Sequence, residues 1–359
     1  MRADFASTRG PHIPIREPNP MSQSDPRLDS LRQWLDAHFH PQNVELTVAS
    51  ADASFRRYFR VRIGDESLIA MDAPPDKENC VPFVDIAGRI RRAGLNAPKI
   101  HAWDKNLGFM LLDDLGSESY LDRLCDHTAY DMYSAALESL VAMQHRIDPV
   151  GLPAYDRALL MRELELFREW FLGRLLGLEL SHSEQHLLNH LFERLCDYAL
   201  EQTRCFVHRD YHSRNLMWLG EHTGPGILDF QDAVYGPVTY DAVSLLRDCY
   251  ISWAPDLVDL LLMDFHQQLW DLDMIRAGQE QFRNWFDLMG MQRHLKAIGI
   301  FSRLSLRDGK NGYLNDIPHT MTYLLDRCEA YQDTQVFSDF LQQRVMPALV
   351  ARLPSEPEA

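Results

Sequence analysis

The stretch that decides the fold reads CFVHRDYHSRNLMWLGEHTGPGILDFQDAVYGPVTYDAVSLL and runs from Cys205 to Leu246. Its apolar residues fall into three short runs before the final helical segment, which predict three strands. A polar loop joins the first two strands, and a Gly-Pro-Gly turn joins the second to the third. Asp210, Asn215 and Asp229 therefore lie where the strands end and the loops begin.

The order of these polar residues is the one that phosphoryl transfer requires. One carboxylate accepts the proton of the attacking hydroxyl, and an amide with a second carboxylate holds Mg²⁺ on the nucleotide phosphates. The kinase signature H-R-D-x-x-x-x-N followed by D-F-G is matched by HRD (208–210), Asn215 and DFQ (229–231). We expect Asp210 to be the catalytic base and Asn215 and Asp229 to bind Mg²⁺ and the nucleotide. The alternative, a polar hairpin whose His and Asp only cap turns, requires three coincidences of spacing.

The same stretch resembles a known group of small-molecule kinases. In HRDYHSRN, His212 follows two residues after Asp210, as in the aminoglycoside phosphotransferase and choline kinase-like family, whereas protein kinases usually have lysine there. Within that family the chain is most similar to the bacterial N-acetylmuramate/N-acetylglucosamine anomeric kinases. The further segments that carry this resemblance are MDAPP (71–75), LDDLG (112–116), DFQDA (229–233), GPVTYD (236–241) and QRHLKAIGIFSRLSLRDGKNGYLNDIP (292–318).

This resemblance covers nearly the whole chain and implies both a fold and an activity. The expected fold is α+β and protein-kinase-like, with two lobes: a small N-terminal lobe built on an antiparallel sheet and a larger, mainly helical C-terminal lobe. The implied reaction uses ATP and Mg²⁺ to phosphorylate the anomeric hydroxyl of N-acetylmuramic acid or N-acetylglucosamine in peptidoglycan recycling.

Composition excludes several other classes of protein. The formal charge of −16 over 359 residues argues against nucleic acid, which is bound through basic patches. The six cysteines are scattered, with no C-x-x-C pair that would indicate a zinc or redox motif. The first residues lack the apolar run of a signal peptide, and no apolar run of transmembrane length follows. We expect a cytoplasmic, monomeric enzyme that binds neither membranes nor nucleic acid.

The order of elements predicts three regions. Residues 1–24 are expected to be a disordered or upstream extension. Residues 25–115 read as an amphipathic helix, short strands and one longer helix, which is the order expected of a nucleotide-binding lobe. From residue 116 to 353 the apolar spacing becomes mainly helical, which predicts a catalytic and substrate-binding lobe.

The predicted nucleotide-binding lobe departs from the kinase pattern at two places. The segment SADASFRR (50–57), where a glycine-rich loop is expected, contains no glycine. Ser54, Arg56 and Arg57 are candidate substitutes through hydroxyl and guanidinium contacts, and a solvated turn is the alternative. Met71 stands where a strand lysine is expected to pair with the phosphates. The missing lysine leaves a pseudokinase, which binds without catalysis, as an alternative.

The segment around Asp113 and Leu115 resembles the hinge between two lobes. Because a hinge presents an unpaired strand edge, we expect adenine to pair with backbone groups near these two residues. The alternative is a plain boundary between a strand and a turn.

Candidates for binding the acceptor lie in and after the catalytic stretch. His212 and Asp232 follow the base and the second acidic motif closely, whereas Asp241 is expected to brace the catalytic loop and His208 to support it. Cations accumulate in an otherwise acidic chain at Arg293, His294, Lys296, Arg303, Arg307 and Lys310. Arg293 and Arg303 are our candidates for contact with an anionic sugar, and a solvated helix face is the alternative.

Three other functions remain open at this point. An aminoglycoside-modifying enzyme would share the fold and act on polycations. A protein kinase is disfavoured, since no Ala-Pro-Glu element or long activation segment follows Asp229. A pseudokinase binding module would consume no ATP.

Overall fold

The computed structural model describes residues 25–39, 45–51, 55–331 and 334–353. The expected extension at residues 1–24 and the candidate Ser54 lie outside the described residues. Among the described helices, none is long and apolar enough to cross a membrane.

The first part of the chain forms the predicted sheet with two helices. Its elements are α1 (Pro26–Phe39), β1 (Glu45–Ala51), β2 (Arg57–Ile63), β3 (Glu66–Asp72), α2 (Val81–Arg92), β4 (Ile100–Asp104) and β5 (Phe109–Asp113). All neighbouring strands are antiparallel, in the order β1-β2-β3-β5-β4. The last strand, β5, is therefore inserted between β3 and β4, and it is paired on both sides.

The two faces of this sheet have different partners. Leu31, Trp34 and Leu35 of α1 pack with Phe59 and the other apolar residues of one face in a small separate core. Because strand side chains alternate between faces, the residues between them face the opposite side, which joins the main core. The face of the sheet on which a side chain lies therefore determines which of the two cores it contacts.

The remainder of the chain is mainly helical. It contains α3 (Tyr120–Arg123), α4 (Ala129–Arg146), α5 (Arg157–Leu166), continued by a π-helical segment (Phe167–Leu175), and α6 (His182–Glu201), followed by β6 (Arg204–Val207), β7 (Leu216–Met217), β8 (Gly226–Ile227) and β9 (Val234–Pro237). After these come α7 (Tyr240–Leu246), α8 (Pro255–Asp271), α9 (Gln279–Asp308), a 3₁₀ turn (Asn311–Asp316), α10 (Ile317–Ala330), α11 (Gln335–Phe340), a π-helical turn (Leu341–Val345) and α12 (Met346–Arg352). The three strands predicted around the catalytic loop are present, although β7 and β8 have only two residues each.

The central helix α9 approaches α5 closely because of one glycine. A Cβ built on Gly299 would lie 2.5 Å from the carbonyl carbon of Leu166, a distance that real side chains do not occupy. Glycine therefore allows α9 to pack directly against the end of α5. Three residues earlier on α9, Lys296 lies 3.3 Å from Glu163 of α5.

Several contacts join the sheet to the catalytic strands. The ring of Phe83 on α2 lies 4.9 Å from that of Phe230, the residue after Asp229. The backbone amide of Ile227 in β8 donates to the carbonyl of Asn96 at 2.7 Å. Apolar residues from both parts form one continuous core, so α2 is packed against the segment that carries Asp229.

Candidate active site

A buried carboxylate holds the catalytic loop in place. Asp241, at the start of α7, accepts hydrogen bonds from the backbone amides of His208 at 2.6 Å and Arg209 at 3.0 Å. Burial raises the pKa of Asp241 to about 7. Arg209 has a φ of +78°, an unusual conformation for a residue with a Cβ. The carboxylate thus braces a strained turn directly before Asp210, which is the bracing role expected for Asp241.

His208 supports this turn from inside the protein. Its side chain is fully buried, and its Nδ1 accepts a hydrogen bond from the backbone amide of Asp210 at 3.2 Å. Burial lowers the pKa of His208 to about 4, so the ring is neutral at pH 7. A buried neutral ring that accepts from the loop backbone agrees with the predicted supporting role.

The amide of Asn215 connects the two acidic residues of the motif. Its Nδ2 donates to the backbone carbonyl of Asp210 at 3.0 Å and lies 3.4 Å from Oδ2 of Asp229. The backbone carbonyl of Asn215 also accepts from the amide of Leu228, at 3.0 Å. Because the amide nitrogen is turned toward the protein backbone, Oδ1 is the atom that Asn215 offers to a cation. The structure therefore brings Asp210, Asn215 and Asp229 together as their spacing predicts.

Asp229 is held in an unusual backbone conformation, with a φ of +61°. Its Oδ1 accepts a hydrogen bond from Nε2 of Gln231 at 2.7 Å. Gln231 stands where protein kinases have the glycine of Asp-Phe-Gly, so this side chain can orient the carboxylate that follows β8.

Nearby positive charge keeps Asp210 ionised. Burial by itself would raise the pKa of this carboxylate, but the charges of Lys296 and Arg209 outweigh burial and lower it. A base with a low pKa is fully deprotonated at neutral pH. Lys296 is itself largely buried. Burial alone would lower its pKa, but the negative charge of Glu163 stabilises the ammonium group, and the pKa of Lys296 is raised.

Glu163 neutralises the cations behind the base. Its carboxylate accepts from Nη2 of Arg209 at 2.6 Å, pairs with Nζ of Lys296 at 3.3 Å, and accepts from the hydroxyl of Tyr155 and from Nε2 of Gln292. Burial would raise its pKa, yet the two cations lower it. Sequence reasoning missed this residue. The feature of the sequence that could have identified Glu163 is its position between Leu160 and Leu164, on the face of α5 that is buried.

Two neighbouring arginines predicted to bind phosphate are separated by the sheet. The guanidinium of Arg57 donates to Asp72 and to Asp25 on the α1 face of the sheet. Arg57 therefore faces away from the catalytic strands, which disfavours its predicted role as a phosphate ligand. Arg56 lies on the opposite face, where its Nη2 pairs with Glu78 at 3.1 Å just before α2 begins.

The hinge prediction requires a correction at Asp113. Because β5 lies between β3 and β4, its edge is not unpaired. The backbone amide of Asp113 donates to the carbonyl of Lys99, and its carboxylate accepts from the backbone amide of Lys99 and contacts the ring of His101. That amide is therefore not available to adenine. Leu115, beyond the end of β5, keeps its predicted role as a proposal only.

The candidate acceptor residues differ in their surroundings and in their exposure to solvent. His212 follows Asp210 in the loop. Its ring and that of Tyr250 form an edge-to-face pair, with 5.3 Å between the ring centres. Asp232 is exposed, and its backbone carbonyl accepts from Arg209 at 3.3 Å. Arg293 is buried, and its charge acts on both Asp210 and His212.

Arg303 lies farther along α9 than Arg293. Its charge interacts with those of Arg307 and Asp308 near the end of the helix. The contact of Arg303 with the acceptor stays a proposal. The solvated-face interpretation also fails for the first half of the basic run, because Arg293, His294 and Lys296 are all less than a tenth exposed.

Two cavities lie away from these residues. One, of about 240 Å³, is lined by apolar residues of α6, α9 and α11, among them Leu191, Leu288 and Phe337. The other, of about 180 Å³, lies beside Glu78 and Trp103. Neither is lined by Asp210, Asn215 or Asp229. The candidate active site is therefore defined by its polar side chains and not by the size of a cavity.

With this geometry in place, comparison with known proteins identifies the family. The model of the phosphotransferase enzyme family (APH) matches residues 45–276. The chain belongs to this family. The members are phosphotransferases, so the protein is a kinase that uses an alcohol group as acceptor, as the catalytic motif predicted.

Curated relatives within the family carry one name. An N-acetylmuramate/N-acetylglucosamine kinase from Pseudomonas aeruginosa is 46% identical over 312 residues, which cover 84% of this chain and 91% of the relative. The enzyme of the same name from Neisseria meningitidis is 39% identical over 304 residues, covering 83% and 90%. These matches confirm the resemblance stated from the sequence motifs.

Solved structures in the family confirm the fold. A choline kinase from Streptococcus pneumoniae has a TM-score of 0.60 at 11% identity and covers 84% of this chain and all of its own. An aminoglycoside phosphotransferase in complex with gentamicin has a TM-score of 0.58 at 12% identity, covering 84% and 97%. The predicted α+β, protein-kinase-like fold is therefore correct, and identities this low say nothing about the acceptor.

Proposed function

We propose that this kinase transfers the γ-phosphoryl group of ATP to the anomeric hydroxyl of N-acetylmuramic acid or N-acetylglucosamine. The observation that carries the proposal is the assembly of Asp210, Asn215 and Asp229 around one amide, in a chain 46% identical to a kinase named for these two sugars. Since ATP is the donor, we place the reaction in the cytoplasm, where it returns cell-wall sugars to use.

Asp210 is the proposed base. Its carboxylate is ionised at neutral pH because of the cations around it, and it can accept the proton of a hydroxyl placed within hydrogen-bond distance. The neighbouring charges of Lys296 and Arg209 offset the negative charge that gathers near the base. Glu163, behind both cations, keeps them in position.

Asn215 and Asp229 are the proposed ligands of Mg²⁺. Mg²⁺ prefers oxygen ligands and is usually bound through one or two protein oxygens together with substrate phosphates. One amide oxygen and one carboxylate on adjacent strand ends fit this requirement. Bound there, the ion would supply positive charge that offsets the charge on the transferred phosphoryl group.

Arg56 is the proposed substitute for the missing strand lysine. Met71 is fully buried in the core, so β3 offers no cation at that position. Arg56 lies on the same face of the sheet as Met71, and Glu78 pairs with it at the start of α2. We keep Leu115 as the proposed adenine contact and His212, Asp232 and Arg293 as proposed acceptor contacts. The lobe boundary between residues 115 and 116 is likewise our proposal.

The test is a panel of acceptors assayed for ADP release with ATP and Mg²⁺. N-acetylmuramic acid, N-acetylglucosamine, glucose, choline and kanamycin are compared at equal concentrations. The proposal predicts turnover of one or both N-acetylated sugars with kcat/KM at least tenfold above the rest. Turnover of kanamycin or choline alone would contradict it.

A further inference from the structure

Arg214 in the catalytic loop has a position that the reaction described so far does not use. It follows Asp210 by four residues, directly precedes Asn215, and is exposed. Its guanidinium lies over the ring of Tyr250, with Cζ 3.5 Å from the centre of the ring. Stacking of this kind fixes the plane of an arginine and leaves its N–H groups pointing outward along the edges.

The ring under Arg214 is itself firmly held. The backbone amide of Tyr250 donates to Oδ1 of Asp248 at 3.1 Å, and its ring meets those of His212 and Phe301. Asp248 in turn accepts from the backbone amide and hydroxyl of Ser213, the residue before Arg214. The platform is thus tied to the same loop that carries the base, so the position of Arg214 relative to Asp210 is fixed.

Arg214 also lacks the carboxylate partner that several cations near the base have. Arg209 and Lys296 pair with Glu163, and Arg247 pairs with Asp287. Among the residues that the structure describes, no carboxylate lies within the 4.0 Å ion-pair distance of Arg214, and none of its nitrogens makes a hydrogen bond. Asp316 is the acidic residue on which its charge acts most clearly, at longer range.

We assign the neighbours of Arg214 to the acceptor side of the base, because Tyr250 also contacts His212, a proposed acceptor contact. They come from the segment that follows α7, from α9 and from the turn that precedes α10. The nucleotide side is formed by Asn215, Asp229 and the sheet. An anion bound by Arg214 is therefore part of the molecule that supplies the hydroxyl.

We propose that Arg214 is a specificity-determining residue that binds the lactyl carboxylate of N-acetylmuramic acid. This inference rests on the proposed function, because it assigns one contact within the same acceptor site. N-acetylglucosamine has the same ring without the lactyl ether, so Arg214 distinguishes the two sugars by charge. A guanidinium fork held in one plane matches the two oxygens of a carboxylate.

The test compares kcat/KM for N-acetylmuramic acid, its methyl ester and N-acetylglucosamine. Loss of a charge-assisted hydrogen bond corresponds to a change of about 10- to 100-fold in affinity. In Arg214→Ala the ratio of kcat/KM between the acid and the ester should fall by about this factor, mainly through KM. Arg214→Lys should recover part of the ratio, because it restores the charge without the fork. Arg276→Ala, an exposed arginine paired with Asp273, is the matched control and should leave the ratio as it is in the parent.

A second variant tests the charge of Arg214 by changing an acidic residue close to it. Asp316→Asn removes the acidic neighbour of Arg214, so the preference for the acid over its ester should rise. Equal losses for all three sugars in Arg214→Ala would mean that Arg214 only positions the loop, and an unchanged ratio would mean that the carboxylate is bound elsewhere. Either result overturns the inference while leaving the proposed function intact. Failure of the parent enzyme to phosphorylate either sugar would overturn both.

Discussion

Substitution of Glu163 by glutamine tests whether the buried charges behind the base are held by one carboxylate. The side chain is 6% exposed, and it faces two cations, Arg209 at 2.6 Å and Lys296 at 3.3 Å. Glutamine keeps the shape but removes the carboxylate that forms an ion pair with both cations. Breaking a buried ion pair in this way costs about 3–5 kcal/mol. We therefore expect Glu163→Gln to lower the free energy of unfolding by about that amount.

The control lies two residues away on the same helix. Glu165 pairs with Arg168 at 3.4 Å, and its side chain is 42% exposed. Exposed pairs contribute about 0–1 kcal/mol, so Glu165→Gln should change little. The assay is urea denaturation followed by tryptophan fluorescence, with the midpoint and slope compared for each variant.

A double variant separates lost charge from lost packing. Lys296→Met in the Glu163→Gln background removes one unpaired cation, so the second substitution should cost less than it does in the parent. We expect a coupling free energy above about 1 kcal/mol. A loss below about 1 kcal/mol in Glu163→Gln, or additive losses in the double variant, would refute the charge network.

Three further predictions concern the base, the metal ligands and pH. Asp210→Asn should lower kcat by about 10²- to 10⁴-fold while ATP affinity persists, and normal turnover would remove Asp210 from the mechanism. Asp229→Ala should abolish Mg²⁺-dependent nucleotide binding in calorimetry, and Asn215→Ala should weaken it; unchanged affinity in both would contradict the metal assignment. Burial lowers the pKa of His294 to about 3, so the unfolded chain takes up a proton first and stability is lost as pH falls below about 6.5. Between pH 7 and pH 5 His294→Gln should lose about 2 kcal/mol less stability than the parent, and identical losses would show that His294 does not contribute to the pH dependence.

The catalytic residues could be predicted from sequence because their geometry is local. Asp210 and Asn215 are separated by one short loop, and Asp229 follows the next hairpin. Turn chemistry and short apolar runs determine where these residues lie relative to one another. The same local logic predicted an amphipathic helix and one longer helix within residues 25–115, and the structure contains them as α1 and α2.

The errors came from contacts between distant segments. Arg56 and Arg57 look equivalent in sequence, but Arg56 directly precedes β2 and Arg57 begins it, and their side chains lie on opposite faces of the sheet. Only the packing of α1 decides which face is which. The position of β5 between β3 and β4 depends on strand order, which no period in the sequence reveals, and it removed the free edge expected at Asp113.

Burial of Arg293, His294 and Lys296 could not be predicted either, because it depends on contacts with distant segments. Lys296 reads as a surface residue of a polar helix until its partner Glu163 is known, and that partner lies on α5, far away in the chain. A lone cation in a helix carries no local sign of a distant counter-charge. Arg214 shows the reverse case, since its exposed position and its aromatic platform become visible only when Tyr250 is placed beneath it.

The identity of the phosphorylated product tests the central claim most directly. The enzyme is incubated with ATP, Mg²⁺ and N-acetylmuramic acid or N-acetylglucosamine, and the product is examined by ¹H–³¹P correlation NMR. The account predicts that the phosphorus couples to the anomeric proton of the sugar, with ADP formed in equal amount. Coupling to the protons at C6, or ADP formation without any phosphorylated sugar, would contradict it.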